Sequence, residues 1–262
     1  NSTGFLMNIL AFDIETIPDV ETGRKLHGLD GLSDKDVAQV MFAKRREQTG
    51  ESDFLRHHLH RIVSISAVLR QGDTMRVWSL GDATSDEAEL IRRFFDGIEK
   101  YTPTLVSWNG GGFDLPVLHY RALLHGISAP RYWDTGDNDR EFKWNNYLSR
   151  YHARHTDLMD VLSGFQPRAV APLDEVAQML GFPGKLGMHG SEVWGQYQDG
   201  KIEEIRDYCE TDALNTYLIY LRFELLRGNL DEAGWKRETD LVRKNLREAN
   251  RPHLNAFLAA WK

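Results

Sequence analysis

The sequence predicts an α/β domain in which helices flank a mixed β-sheet. Three observations predict it. Short apolar runs rich in β-branched residues come first, strands and helices then mix, and helical periodicity dominates the last third. The 262 residues are ample for a buried core, and 41% hydrophobic with 27% charged residues is an ordinary globular composition.

The first apolar run, Asn8-Ile9-Leu10-Ala11-Phe12, is short and unbroken, as a strand buried on both faces would be. Residues 19–60 are charged and weakly periodic and carry the basic cluster Lys44-Arg45-Arg46. They are expected to form a partly helical insertion at one rim. Residues 61–70 read as a second strand, and the turn Gln71-Gly72-Asp73 leads to a third over 74–80. Ser85, followed by Asp86 and Glu87, marks a helix start, with Leu90, Ile91, Phe94, Phe95 and Ile98 as its apolar face. A fourth strand spans Thr104 to Trp108. Asn109-Gly110-Gly111-Gly112 ends it, and a helix runs from Asp114 to about His125. Residues 126–152 are loop-like and aromatic. Residues 155–160 suggest a short strand entering a helix, 173–180 and 201–226 read as helices, and one or two amphipathic helices close the chain.

No repeat or low-complexity tract occurs, and no apolar stretch is long enough to cross a bilayer. A single domain is expected over 7–262, with a core at 7–226, the insertion at about 19–60 and a helical extension at 227–262. Residues 1–6 have neither the basic nor the apolar part of a signal peptide and are read as a cloning remnant before Met7. The one cysteine, Cys209, cannot form an internal disulfide, so a reducing, cytoplasmic location is expected. The net charge of −7 argues against a broad duplex-binding surface. It leaves room for an enzyme that grips a few nucleotides, because bound cations would reverse the sign of an acidic cleft.

Three segments carry candidate chemistry. In Asp13-Ile14-Glu15, strand alternation puts both carboxylates on one face. Close, buried like charges need a shared proton or a cation. Taken alone, the pair reads equally well as an exposed strand end. In Tyr208-Cys209-Glu210-Thr211-Asp212, helical spacing presents a phenol and a carboxylate together. Ile205, Asp212 and Ile219 are heptad-spaced, so Asp212 falls in an apolar stripe, where a lone aspartate is costly. On its own this segment reads more simply as a Tyr–Asp hydrogen bond at a helix border. In Trp108-Asn109-Gly110-Gly111-Gly112-Phe113-Asp114, glycines permit close approach of a ligand or backbone and Asp114 opens a helix; a plain N-cap is the blander account. The spacing is neither the dinucleotide fingerprint nor the P-loop. Together the four acids form an all-oxygen set suited to Mg²⁺ or Mn²⁺, and no Cys/His set has zinc spacing.

The order Asp-x-Glu, Asn-x₄-Asp, Tyr-x₃-Asp resembles the three motifs of the DEDD superfamily of DnaQ-like exonucleases, which have a ribonuclease H-like fold. The surrounding residues Phe12 to Thr16, Asn109 to Pro116 and Tyr208 to Asp212 look most like the exonuclease domain of family B DNA polymerases. The likeness runs from Met7 to about Leu226. Tyrosine in the last motif implies the DEDDy branch; the DEDDh branch would have histidine where Asp207 stands. No polymerase domain fits in the remaining residues, so a stand-alone relative is expected.

That resemblance implies a 3′–5′ exonuclease acting on single-stranded DNA with two Mg²⁺ or Mn²⁺ ions and releasing nucleoside 5′-monophosphates. It assigns Asp13 as the bridging ligand, Glu15 and Asp212 to the ion that holds the attacking water, Asp114 to the second ion, and Tyr208 to orienting the nucleophile. Backbone groups of Ile14 and Thr16 would meet the terminal 3′-hydroxyl, and Asn109 the terminal sugar or a phosphate. Phe113 is expected to pack in the core rather than stack on bases. Asp157 reads as a helix cap and Asp160 as a second nearby acid. His155 and His189 read as structural or exposed rather than as general bases, Lys185 and Arg168 as solvated rather than as phosphate contacts, and Lys44-Arg45-Arg46 as a solvated helix face, with nucleic-acid contact as its alternative. Two rivals remain: a ribonuclease D-like exoribonuclease, and a silent nucleic-acid-binding scaffold of the same fold. DNA repair, proofreading in trans and nucleic-acid turnover all stay open as pathways.

Overall fold

Strand β1 spans Ile9–Pro18 and reaches well past the apolar run that announces it. The β-branched Ile14, Thr16 and Ile17 carry the extended chain beyond the two acids. Antiparallel pairing with β2 (His60–Gln71) sustains it as far as the Pro18↔His60 pair, with a bulge between Glu15 and Thr16. Asp13 and Glu15 therefore lie inside a strand rather than at its end. The computed structural model describes residues 8–262; the expected remnant and Met7 lie outside the described residues.

The expected mixed sheet is present. It has five strands in the order β3-β2-β1-β4-β5, with β3 at Thr74–Ser79, β4 at Thr104–Ser107 and β5 at His155–Asp157. β2 runs antiparallel to both β3 and β1, whereas β1, β4 and β5 run parallel to one another. This five-stranded α/β arrangement fits a ribonuclease H-like fold. β4 stops at Ser107, one residue short of the expected Trp108, and on its β1 side meets only Ile9, Leu10 and Ala11. β1 thus outruns its parallel neighbour, and its open edge is the ground on which the site is built.

The helices are α1 (Val20–His27), α2 (Asp34–Thr49), α3 (Glu87–Tyr101), α4 (Leu115–His125), α5 (Leu158–Leu162), α6 (Leu173–Met179), α7 (Val193–Gln198), α8 (Ile202–Leu226), α9 (Glu232–Ala249) and α10 (Pro252–Ala260). Asp86 rather than Ser85 caps α3, accepting from the Glu89 N–H at 2.8 Å. The polar stretch 19–60 becomes α1 and α2, where Val37, Ala38 and Met41 suffice to pack against Val20 and Leu55. No helix among the described residues is long and apolar enough to cross a membrane.

Strand alternation divides the core. Ile9 and Ala11 face α8, packing with Ala213, Leu214 and Tyr217, while Leu10, Phe12 and Ile14 face α3 and α4. Asp13 and Glu15 continue the Ile9–Ala11 face, so they point toward α8. On the opposite side, buried Arg121 pairs with Asp19 at 2.6 Å and Glu87 at 2.8 Å, locking α4 to α3 and to the entry of α1. The buried charges there are mutually paired, which is the condition for tolerating them.

Candidate active site

Three chain segments converge where β1 outruns β4. The first is β1, offering the half-buried Asp13 and the buried Glu15 on one face. The second is the glycine loop after β4. Asn109 takes a left-handed conformation at φ 62°, and residues Gly110–Asp114 wind as one π-helical turn. A Cβ at Gly110 would collide with the Ser107 side chain, so this close approach needs glycine. The turn swings Asp114 across the open edge of β1, where its Oδ2 accepts from the Ile14 N–H at 3.2 Å. Asp114 makes no side-chain cap to α4, which starts at Leu115, so its job is not helix capping.

Asp157 tethers the loop from below. It caps α5, as expected, and its carboxylate also accepts from the Asn109 N–H at 2.8 Å and the Gly111 N–H at 3.1 Å. The third segment is α8, which places the buried Tyr208 and Asp212 one turn apart over the acids of β1. The face of α8 toward the sheet also carries Cys209, whose thiol donates to the Asp13 carbonyl at 3.3 Å and approaches its Oδ2 at 3.5 Å.

The electrostatics of this pocket are unfavourable for the bare protein. Burial, then the charges of Glu15, Asp212 and Asp114, raise the Asp13 pKa well above the usual carboxylate range; burial and Asp212 do the same to Glu15. Burial pushes Asp114 up to about 7, against hydrogen bonds from its own and the Ile14 backbone. Asp212 is pushed to about 6 by burial, partly offset by Lys185 and Tyr208. Its Oδ1 is buried and has no hydrogen-bond partner. Four repelling carboxylates with an orphaned oxygen fit a hard divalent cation, which would neutralise the repulsion and use the free lone pairs. The Cys209 sulfur and the Asp13 and Glu15 carboxylates lie within 4.8 Å of one another. Burial holds that thiol protonated, so it serves as a hydrogen-bond donor rather than a thiolate ligand.

Tyr208 is raised well above its usual range by burial and by the charges of Asp212, Glu15 and Asp13. It remains a phenol at neutral pH. Its oxygen accepts from the Lys185 Nζ at 2.9 Å, which corrects the expectation that Lys185 is a solvated surface group. Sequence reasoning misses this contact because a single lysine in the glycine-punctuated 181–190 stretch has no periodic signal. Cys209 is more legible, since positions 205, 209 and 212 share one helical face.

The remaining candidates sort clearly. The Ile14 side chain is buried, and its N–H is already engaged by Asp114. The Thr16 hydroxyl bonds to His60 Nδ1 at 2.8 Å. Asn109 is partly exposed beside the pocket, its side chain against Gly112. Phe113 packs against the core that includes Phe12 and Leu115, as expected of it, and its half-buried ring also meets those of Phe54, His57 and His60. His155 bonds to Ser107 at 2.8 Å, and burial lowers it to about 4, so it is a neutral structural residue. His189 and Arg168 are exposed. Asp160 pairs with Arg150 at 2.6 Å, and Asp207 with Arg251 at 3.2 Å.

Residues 52–261 match the family described as predicted 3′–5′ exonucleases related to the exonuclease domain of PolB. That stretch holds Asp114, Tyr208 and Asp212; Asp13 and Glu15 precede it. Among curated proteins, the chain is 29% identical over 147 residues to the catalytic subunit of DNA polymerase epsilon from Saccharomyces cerevisiae, covering 53% of the chain and 6% of that protein. It is 27% identical over 139 residues to a DNA polymerase of Archaeoglobus fulgidus, covering 52% and 17%. It is also 27% identical over 177 residues to a DNA polymerase of Pyrococcus glycovorans, covering 64% and 23%. The chain thus spans less than a quarter of the length of each of these relatives.

Proposed function

Because the chain belongs to the family of predicted 3′–5′ exonucleases related to the exonuclease domain of PolB, we propose that it hydrolyses phosphodiester bonds at the 3′ end of single-stranded DNA, releasing nucleoside 5′-monophosphates. The observation that supports this is that Asp13, Glu15, Asp114 and Asp212 lie close enough to repel one another, with the Asp212 Oδ1 left without a partner. The matched relatives are named as DNA polymerases, which supports DNA as the polymer.

Asp13, Glu15, Asp114 and Asp212 would hold two divalent ions, Mg²⁺ or Mn²⁺. When bound, such ions lower the pKa of the attacking water and neutralise charge developing on the phosphate. The protein's own groups do the positioning. Tyr208 stays protonated, Lys185 donates to its oxygen, and its phenolic proton, which faces Asp212, would hold the attacking water in line. Lys185 fixes the orientation of that phenol. The π-helical turn keeps Asp114 aimed at the open edge of β1, and Asp157 keeps the turn in place. Asn109 would bind the terminal sugar or a neighbouring phosphate; with the Ile14 N–H held by Asp114, the Ile14 carbonyl and the Thr16 backbone would meet the terminal 3′-hydroxyl.

The test is direct. Labelled DNA and RNA oligonucleotides are incubated side by side with the wild type and with Asp13→Ala, in Mg²⁺ and in chelator. Stepwise shortening of DNA from its 3′ end, lost in chelator and in the variant, is the expected result. Equal shortening by Asp13→Ala would refute the site, and preference for RNA would move the substrate to the ribonuclease D type.

A further inference from the structure

The segment between α2 and β2 has an outward pattern that core packing does not require. Its chain is extended, Leu55 points inward at 4% exposure, and Phe54 and Arg56 on either side point outward. Phe54 is 53% exposed, an unusual place for a bare aromatic ring in a polar stretch. The ring does not stand alone. It lies 4.9 Å from His60 and 5.6 Å from Phe113, measured between ring centres, and His57 lies 5.7 Å from Phe113.

Two bonds fix this aromatic ledge to the acidic pocket. The His57 Nε2 bonds to the Gly112 carbonyl at 2.7 Å, two residues before Asp114. The His60 Nδ1 bonds to the Thr16 hydroxyl at 2.8 Å, one residue after Glu15. A third bond brings cations to the ledge: the Arg45 Nε donates to the Phe54 carbonyl at 2.8 Å, which draws the exposed basic end of α2 against it. Arg56 adds a second guanidinium and makes no ion pair among the described residues. Arg46 is neutralised by Asp53, which leaves Arg45 and Arg56 as the cations beside these rings, next to the loop and strand that carry Asp114 and Glu15.

We propose that the ledge of Phe54, Phe113, Arg45 and Arg56 is the binding surface for the unpaired DNA strand entering the pocket. Bases stack on the rings, and phosphates meet the guanidinium groups. This assigns substrate recognition to the polar 19–60 segment and rests on the exonuclease reading. Stacking tolerates any base, so the ledge selects single strands without selecting sequence. Duplex DNA hides its base faces and gains nothing from Phe54.

The experiment measures binding without cleavage, by fluorescence anisotropy of a labelled 12-nucleotide single-stranded DNA in chelator, across a salt series. Phe54→Ala is expected to weaken binding at least fivefold without changing the salt slope, and Phe54→Tyr to restore it. Arg56→Gln is expected to flatten the slope by about 0.7, the value for one phosphate contact on a single strand. Thermal melting of each variant reports on folding. Wild-type affinity in both Phe54→Ala and Arg56→Gln, or tighter binding of a duplex of the same length, would overturn the ledge. Hydrolysis is scored separately on the wild type. A protein that binds the strand through Phe54 yet never cleaves it in Mg²⁺ would keep the ledge and refute the exonuclease.

Discussion

Asp212 carries the clearest cost and the clearest test. Its folded pKa of about 6 lies above the ordinary 3.8. A carboxylate raised in this way stabilises the fold below pH 3.8, loses that contribution as the pH rises through 6, and at pH 8 is a buried charge. Asp212→Asn keeps the shape without the charge, so in chelator at pH 8 it should melt several degrees above the wild type. The same variant should lose both the melting increase produced by Mg²⁺ and nearly all hydrolysis. A lower melting temperature in chelator would mean that the carboxylate is satisfied by the protein alone. Tyr208→Phe should behave differently. Loss of the phenolic donor should cut kcat by about a hundredfold, while the Mg²⁺-induced melting shift stays intact, as differential scanning fluorimetry beside steady-state kinetics would report.

The glycine loop, β1 and α8 each contribute one part of the pocket, and their legibility in sequence differs. Asp13 and Glu15 are readable because strand alternation is a rule of geometry; Asp212 is readable because helical spacing puts it among Ile205 and Ile219. The apolar run understates the length of β1 because two acids break it, although pairing with β2 carries the strand to Pro18. Lys185 and the second role of Asp157 are not readable. Both depend on contacts between segments, Lys185 with Tyr208 and Asp157 with the loop after β4, that no local periodicity encodes. The ledge is hidden for the same reason, since Phe54 and Phe113 are far apart in the chain and meet through tertiary contacts such as the His57–Gly112 bond. For the loop itself, Asp157→Ala removes the acceptor of two backbone N–H groups and a helix cap. A stability loss of about 1–2 kcal/mol is expected, together with roughly tenfold lower kcat as Asp114 loses its aim. Unchanged kcat in a variant with lowered stability would separate the loop's tether from catalysis.

Across the whole molecule, acid stability should be governed by two opposed sets of buried groups. His60, His119 and His155 are each lowered to about 4, mainly by burial. A histidine depressed in the fold binds its proton more readily when unfolded. The stability it contributes is complete above about pH 6.5 and is lost as the pH falls toward 4. The four carboxylates act in the reverse sense, because their raised values favour protonation in the fold. His155→Gln keeps a polar partner for Ser107 and removes one of the three protons. Its denaturation profile between pH 6.5 and 4 should therefore be flatter than that of the wild type by up to one proton, about 1.4 kcal/mol per pH unit. An identical profile would show that His155 is already protonated in the fold.

The cations remain the central question, and crystals grown with Mn²⁺ answer it through anomalous diffraction. The expected map has its strong peaks within coordinating distance of Asp13, Glu15, Asp114 and Asp212. A map with no peak there, or with its only peak at the Asp207–Glu210–His253 cluster, would contradict the account.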